Sequence, residues 1–267
     1  MVREHIKKCG MIMGLAIIKG VVELRNGEGA LYGYFLEKVA FGWPEFEQSQ
    51  LFLIVINMFP IILFQILYGL SIYQHFCTAS AYYFSRQNNR TKWFLGETVK
   101  LLGQSSTFFG SYIVGLILCY GFMQGFALCT ITDVQVVLYV YILFSLYAYV
   151  FTLLINLVSL RLGNQMGFFV TYFIQLIATF VLVIYKGLEE ITGWRAVAFR
   201  LNPIANIVIS WHSSRWILTS DINMLDFRFD LNWSILYFMV LAVIVAAAGC
   251  IVVKHQDISL ENKEEEG

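Results

Sequence analysis

The chain has 267 residues, of which 58% are hydrophobic and only 13% charged; its mean hydropathy is +0.68 and its formal net charge +0. A soluble domain of this size carries about 25% charged residues, so the polar coat of a water-soluble globule is missing. No basic stripe is present, and no nucleic-acid partner is expected.

A membrane-spanning helix needs roughly 20 mostly apolar residues to cross about 30 Å of hydrocarbon. The first candidate, about 9–24 (Cys9 to Leu24), is short, near 24 Å as a helix, and holds Lys19 and Glu23. It is read as a span in which Lys19 snorkels or faces protein, because a span here puts both termini on one side. The alternative is an interfacial helix. Arg3, Lys7 and Lys8 precede the apolar stretch Met11 to Ile18, but no small-residue cleavage site follows, so signal-peptide cleavage is not expected.

Residues 25–50 read as an outer loop with Glu28, Glu37, Glu45 and Glu47 and an amphipathic piece at Leu31 to Phe41. Five further spans follow: 51–73, 106–128, 134–160, 165–185 and 233–253. None of the five contains Asp, Glu, Lys or Arg, and apolarity continuous over that length leaves no polar face for a soluble amphipathic helix. Residues 74–104 form the largest cytoplasmic segment and 186–232 a long extracellular connection. The end, 254–267, is an acidic cytoplasmic tail. Residues 1–267 thus form a single all-α transmembrane domain of six helices.

Basic residues near the span ends favour both termini inside. Arg161 lies in a short inner turn, whereas the tight outer turn Cys129 to Asp133 holds only an acid. This suits a multi-pass protein of a cell membrane, the bacterial cytoplasmic membrane being the expected one, with lipid as its surroundings. The cysteines Cys9, Cys77, Cys119, Cys129 and Cys250 are scattered without metal-ligand spacing, and read as apolar fillers. No nucleotide-binding, dinucleotide, zinc-protease or hydrolase motif occurs. No catalytic residue, metal or cofactor is therefore expected in this chain.

Ion-coupled carriers place titratable groups at membrane depth. The polar residues inside the five spans are neutral: Asn57, Gln65, Gln124, Thr152, Asn156 and Gln175. They read as interhelical hydrogen bonds, or, for Asn57, Gln65, Gln124, Asn156 and Gln175, as the polar lining of a translocation route. The energy for transport would then come from elsewhere. Small residues four apart (Gly121 and Gly125, Gly163 and Gly167, Ala242 and Ala246) read as close helix packing within the chain.

In the segment Ala79 to Gly103, Arg86 and Arg90 share a helical face, flanked by Tyr82, Tyr83, Phe84, Trp93 and Phe94. Asn88 and Asn89 suggest a tight turn. The segment reads as a basic interfacial loop or as a short helix docking into a soluble partner. The connection 186–232, with Arg200 to Asn206 and an apolar run through Trp211, is too hydrophobic for a free loop. It reads as short helices dipping into the outer face or as a folded cap.

This layout resembles the membrane subunits of ABC exporters of the ABC-2 type. Tyr82 to Glu97 falls at that family's coupling-helix position, between spans two and three. Asn202-Pro203 falls at its outer re-entrant helices, between spans five and six. Val253-Lys254-His255-Gln256-Asp257-Ile258 is similar to its exit from the last span. The likeness covers nearly the whole chain, rests on layout, and departs at the short first span. It implies a permease without its own motor, bound to two copies of an ABC ATP-binding protein that holds ATP and Mg, and to a second permease subunit, identical or homologous. It further implies an ATPase interface at Tyr83, Arg86, Asn89, Arg90 and Trp93, and an outer gate at Asn202, Pro203 and Trp211. The cargo would be a peptide or amphipathic small molecule, as in bacteriocin export or self-immunity. The competing readings are a stand-alone carrier or channel, a non-transporting immunity or sensor protein, and an intramembrane enzyme.

Overall fold

Where water is scarce, backbone N–H and C=O groups can pair only within the chain, and long apolar stretches form helices. The structure, a computed structural model, describes residues 2–24, 30–40, 50–82, 89–125, 130–184, 194–214 and 229–256. About 91% of these residues are helical, and among them no strand forms. The helices are α1 (Val2–Leu24), α2 (Leu31–Tyr34, continued by a π-helical turn Phe35–Val39), α3 (Gln50–Tyr68), α4 (Ser71–Tyr82), α5 (Arg90–Gln124), α6 (Ile131–Leu162), α7 (Asn164–Ile184), α8 (Trp194–Leu201) and α9 (Leu231–His255). Five stretches are long and apolar enough to cross a membrane: Asn57–Thr78, Arg90–Gln124, Ile131–Leu162, Asn164–Leu182 and Leu231–His255. The chain is a multi-pass membrane protein.

Side-chain contacts give the helix directions. His5 meets Thr107 and Gly20 lies against Cys119, so α1 and α5 run parallel. Lys8 reaches Leu67 and Lys19 reaches Asn57, so α1 and α3 run antiparallel. Ser105 bonds to Ser145, and Gly110 lies near Tyr141, in an antiparallel α5–α6 pair. Gly167 abuts Ser159 while Gln175 meets Tyr147, so α7 turns back along α6. Tyr139 bonds to Asn232, and Tyr147 stacks edge-on with Phe238, so α9 runs with α6. The long helices therefore alternate in direction in chain order, around a central α6. One end of the bundle gathers Arg90, Arg161 and Lys254, at the start of α5 and the ends of α6 and α9. We call it the basic end.

Small residues set the closest approaches. A Cβ on Gly115 would lie 2.8 Å from the Met13 carbonyl and 2.9 Å from the Ala16 Cβ; one on Gly20 would lie 2.8 Å from the Cys119 Sγ. Without a hydrophobic drive between helices in lipid, such packing is what joins α1 to α5. Of the spaced glycine pairs, Gly167 faces α6, whereas Gly125 and Gly163 take φ of 83° and 88° and end α5 and α6. Those two terminate helices rather than seam them.

Three expectations about the cytoplasmic segment need correction. No separate short helix covers 90–97: these residues are the first turns of α5, continuous with the expected span from Ser106. Asn89 caps that helix, accepting from the Lys92 N–H at 3.0 Å. The second span breaks at Gly69-Leu70 and continues as α4. Glu97 and Lys100 consequently belong to a helix that is apolar enough to cross the membrane, although their charges had placed the start of the span at Ser106.

Candidate functional site at the seam of α1, α3 and α5

The sequence-predicted polar residues do not converge on one channel. Gln65 and Gln175 form a reciprocal amide pair, with N···O distances of 3.2 and 3.3 Å, and Gln175 also accepts from the Tyr147 hydroxyl at 3.0 Å. This ties α3, α6 and α7 together. Asn156 mends the α3–α4 break. Its Oδ1 accepts from the N–H groups of Ile72 (2.8 Å) and Tyr73 (3.1 Å), and its amide donates to the carbonyls of Thr152 (2.9 Å) and Tyr68 (3.4 Å). Helix ends leave such groups without intrahelical partners, and one side chain serves both. Asn57 accepts from Lys19, and Gln124 is the half-buried last residue of α5.

Most of the expected ATPase interface is committed within the chain or lies outside the described residues. Tyr83 and Arg86 are in the latter group. Arg90 donates to the Gln256 carbonyl at 2.8 Å, binding the start of α5 to the end of α9. Trp93 is half-buried and lies 6.0 Å from the Phe76 ring of α4. Phe94, fully buried, fills the space beside Gly249.

At the opposite end, the expected gate residues build a cap between α7 and α9. Asn202 donates to the Ala178 carbonyl (2.7 Å) and accepts from the N–H groups of Ile204 and Ala205, holding a turn around the half-buried Pro203. Trp211 is 2% exposed and packs 5.5 Å from Phe199. His212, which sequence reasoning passed over, is the hub. Its Nδ1 lies 2.7 Å from the Val208 carbonyl, which assigns the ring proton there, so Nε2 accepts from the Ser234 hydroxyl at 2.7 Å. The same hydroxyl lies 2.8 Å from the Asn206 Oδ1, so His212 and Asn206 compete for its one proton. Burial pushes His212 down to about 4. Nearby, Asp133 caps α6 in a reciprocal box with Thr130 and also accepts from the Tyr32 N–H at 2.7 Å, pinning α2 to the same carboxylate.

The charged groups inside the bundle gather along α1, against α3–α4 and α5. Because His5 lies beside Thr107, α1 begins roughly 25 Å along α5 from Arg90, at 1.5 Å per residue. Where α1 stops, a cavity of about 290 Å³ opens toward the basic end. Its walls carry Glu4, His5 and Lys8 of α1, Tyr68, Gln74 and His75 flanking the break, and Glu97, Lys100 and Gln104 of α5. The Lys8 Nζ donates to the Leu67 carbonyl at 2.9 Å and sits 4.2 Å over the Tyr68 ring, complementing the negative C-terminus of α3. Glu97, 11% exposed, bridges Lys100 (2.6 Å) and His75 (3.3 Å).

Beyond this cavity the seam closes on aromatic rings: Phe64, Phe108 and Phe109 are fully buried with centroids 5.3 to 5.9 Å apart. Farther along, Lys19 donates to Asn57 (2.9 Å), the Lys38 carbonyl (3.2 Å) and the Tyr112 hydroxyl (3.4 Å), and lies 3.7 Å from Glu23. Glu23 accepts from the Tyr34 hydroxyl at 3.1 Å. An apolar cleft of about 380 Å³, walled by Ile12, Leu15, Ile18, Phe59 and Pro60, ends on Lys19 and Tyr112. The seam thus has a charged cavity, an aromatic block and a charged cluster in series. Sequence reasoning noted Lys19 and Glu23 only as defects in a weak span. The i,i+4 spacings of His5 with Cys9, which meet at 3.6 Å, and of Lys19 with Glu23, at 3.7 Å, were local signals available on α1. Among the described residues no cluster of His, Cys, Asp and Glu could hold a metal ion. Compared with protein-family models, curated proteins and solved structures, the chain matches none.

Proposed function

We propose that the chain is the permease subunit of an ATP-driven transporter of the ABC-2 kind, moving a peptide or amphipathic small molecule. In this reading α1, α3–α4, α5, α6, α7 and α9 are six crossings with both ends in the cytoplasm. The basic end faces inward, as Arg90, Arg161 and Lys254 there favour. A separate ATP-binding protein, in two copies, supplies the energy, and a second permease subunit completes the pore. The observation that carries the reading is the strict alternation of the long helices, with a short-helix cap between the last two. The bond from Arg90 to the end of α9 would pass motion at the inner surface to the last crossing. The test is reconstitution in liposomes with an ABC ATP-binding protein that co-elutes with the purified chain. Cargo-stimulated ATP hydrolysis that falls when Tyr83 and Arg86 are both replaced by Ala is expected; full stimulation in that double variant would refute the assignment of the interface.

A carrier driven by an ion gradient is the second reading, favoured by the Lys19–Glu23 pair and the Glu97 cluster inside the bundle. Uptake driven by a proton gradient without any ATPase, and abolished by Lys19→Met, would establish it in place of the first.

A further inference from the structure

The cavity beneath α1 holds two sets of acceptors suited to cations, and each is occupied by an ammonium group of the chain itself. One set is the Leu67 carbonyl in the last turn of α3 together with the face of Tyr68, where Lys8 sits. A carbonyl and an aromatic face together attract a cation through the helix dipole and the ring quadrupole. The other is the Glu97 carboxylate, where Lys100 sits. The second pair is asymmetric. Glu97 is 11% exposed and held from its other oxygen by His75, whereas the Lys100 side chain is 57% exposed. The acceptor is fixed and buried; its cation is tethered by a stem lying largely in solvent.

We propose that this cavity binds a dicationic chain, bearing two ammonium or guanidinium groups, which displace Lys8 and Lys100 from their acceptors. The two acceptor sets line one cavity from the two sides of the α3–α4 break, Leu67 before it and the Glu97 partner His75 after it. An anionic ligand fits less well. At the Glu97 end it would have to draw Lys100 away and leave the carboxylate as the costly half of a broken ion pair, and at the other end it would compete with the Leu67 carbonyl for Lys8. A cation takes the place of Lys100 at Glu97 and keeps the carboxylate paired while the Lys100 ammonium moves to the exposed side of its stem. Basic side chains of a peptide and free polyamines share this chemistry. The inference deepens the transport reading and takes from it only the identification of the ligand as cargo. Binding is measured on the chain alone, so its failure is distinct from failure of ATPase coupling.

The test is calorimetric titration of the purified full chain in nanodiscs of phosphatidylcholine, a net-neutral lipid that does not itself collect polyamines. The probes are spermidine, a Lys-Gly-Lys peptide and inorganic phosphate. Saturable binding of spermidine or the peptide is expected, and the tighter of the two identifies the source. Lys100→Gln removes the tethered competitor and should tighten that binding about tenfold if the competitor fills the site about nine-tenths of the time. Glu97→Gln should weaken it at least about tenfold through loss of a charge-assisted bond. Weaker binding in Lys100→Gln, phosphate binding that disappears in Lys8→Gln, or no saturable binding of either cation to the unaltered chain would each overturn the proposal. Lys100→Gln alters an exposed side chain, so its sign is readable even if Glu97→Gln fails to fold.

Discussion

Replacing Asn156 by leucine tests whether one side chain holds the broken second crossing together. Asn156 is fully buried in α6 and provides the acceptor for the Ile72 and Tyr73 N–H groups in the first turn of α4. Leucine has a similar size but no acceptor, so the buried Ile72 N–H loses its partner and the half-buried Tyr73 N–H loses this one. An unsatisfied buried donor costs about 1–3 kcal/mol, which is the loss expected from Ile72. The amide pair between Gln65 and Gln175 provides the contrast. Replacing Gln65 and Gln175 by Leu and Tyr147 by Phe removes every partner together, and such exchanges are nearly neutral; interhelical side-chain bonds in lipid average only about 0.6 kcal/mol. Equilibrium unfolding in mixed detergent micelles measures both variants. Asn156→Leu should lose several times more stability than the triple variant. Asn156→Asp, which keeps an acceptor at the positive N-terminus of α4, should fall between them. A loss of under about 1 kcal/mol for Asn156→Leu would show that the joint is held by something else.

Two further outcomes follow from the packing and from the cap. Gly115→Leu would drive a branched side chain into Met13 and Ala16 and should destabilise the chain in mixed detergent micelles, whereas Gly103→Leu, whose Cβ would meet open space, should not; equal stability of the two variants would contradict the α1–α5 packing. His212 is held below the ordinary histidine value by burial, so the folded cap binds fewer protons than the unfolded chain. Its contribution is complete above about pH 6.5 and is lost as pH falls toward about 4, by about 3 kcal/mol in all. Protease cleavage within the cap should therefore accelerate over that window, and a flat profile matching that of His212→Gln would contradict the assignment.

Much of the architecture was legible in composition and run length. Continuous apolar runs with no charge can be satisfied only as helices in lipid; the spans read at 134–160 and 233–253 lie wholly within α6 and α9, α5 covers 106–124 of the next, and α7 covers 165–184 of another. The cap between α7 and α9 was legible too, because its Trp, Ile and Asn content is too apolar for a free loop. The start of α5 was not: Lys92, Glu97 and Lys100 interrupt the apolar pattern, and nothing local says that Glu97 finds His75 and Lys100 as partners. Likewise the break at Gly69-Leu70 is invisible to hydropathy, because Asn156, far along the chain, is what satisfies its backbone.

The primary structure alone settled that this is a helical multi-pass membrane protein, because hydrocarbon leaves the backbone no other way to pair its polar groups. It also left the five later spans free of charge and Lys19 of the first to snorkel or to face protein, and there the folded chain decided. α1 lies against α5 through Gly20 and Gly115, bringing Lys19 and Glu23 inside, and it ends where a cavity lined by Lys8, His75, Glu97 and Lys100 begins. The physical reason is that the cost of a charge at depth depends on its partners, and those partners come from helices separated by tens of residues in sequence.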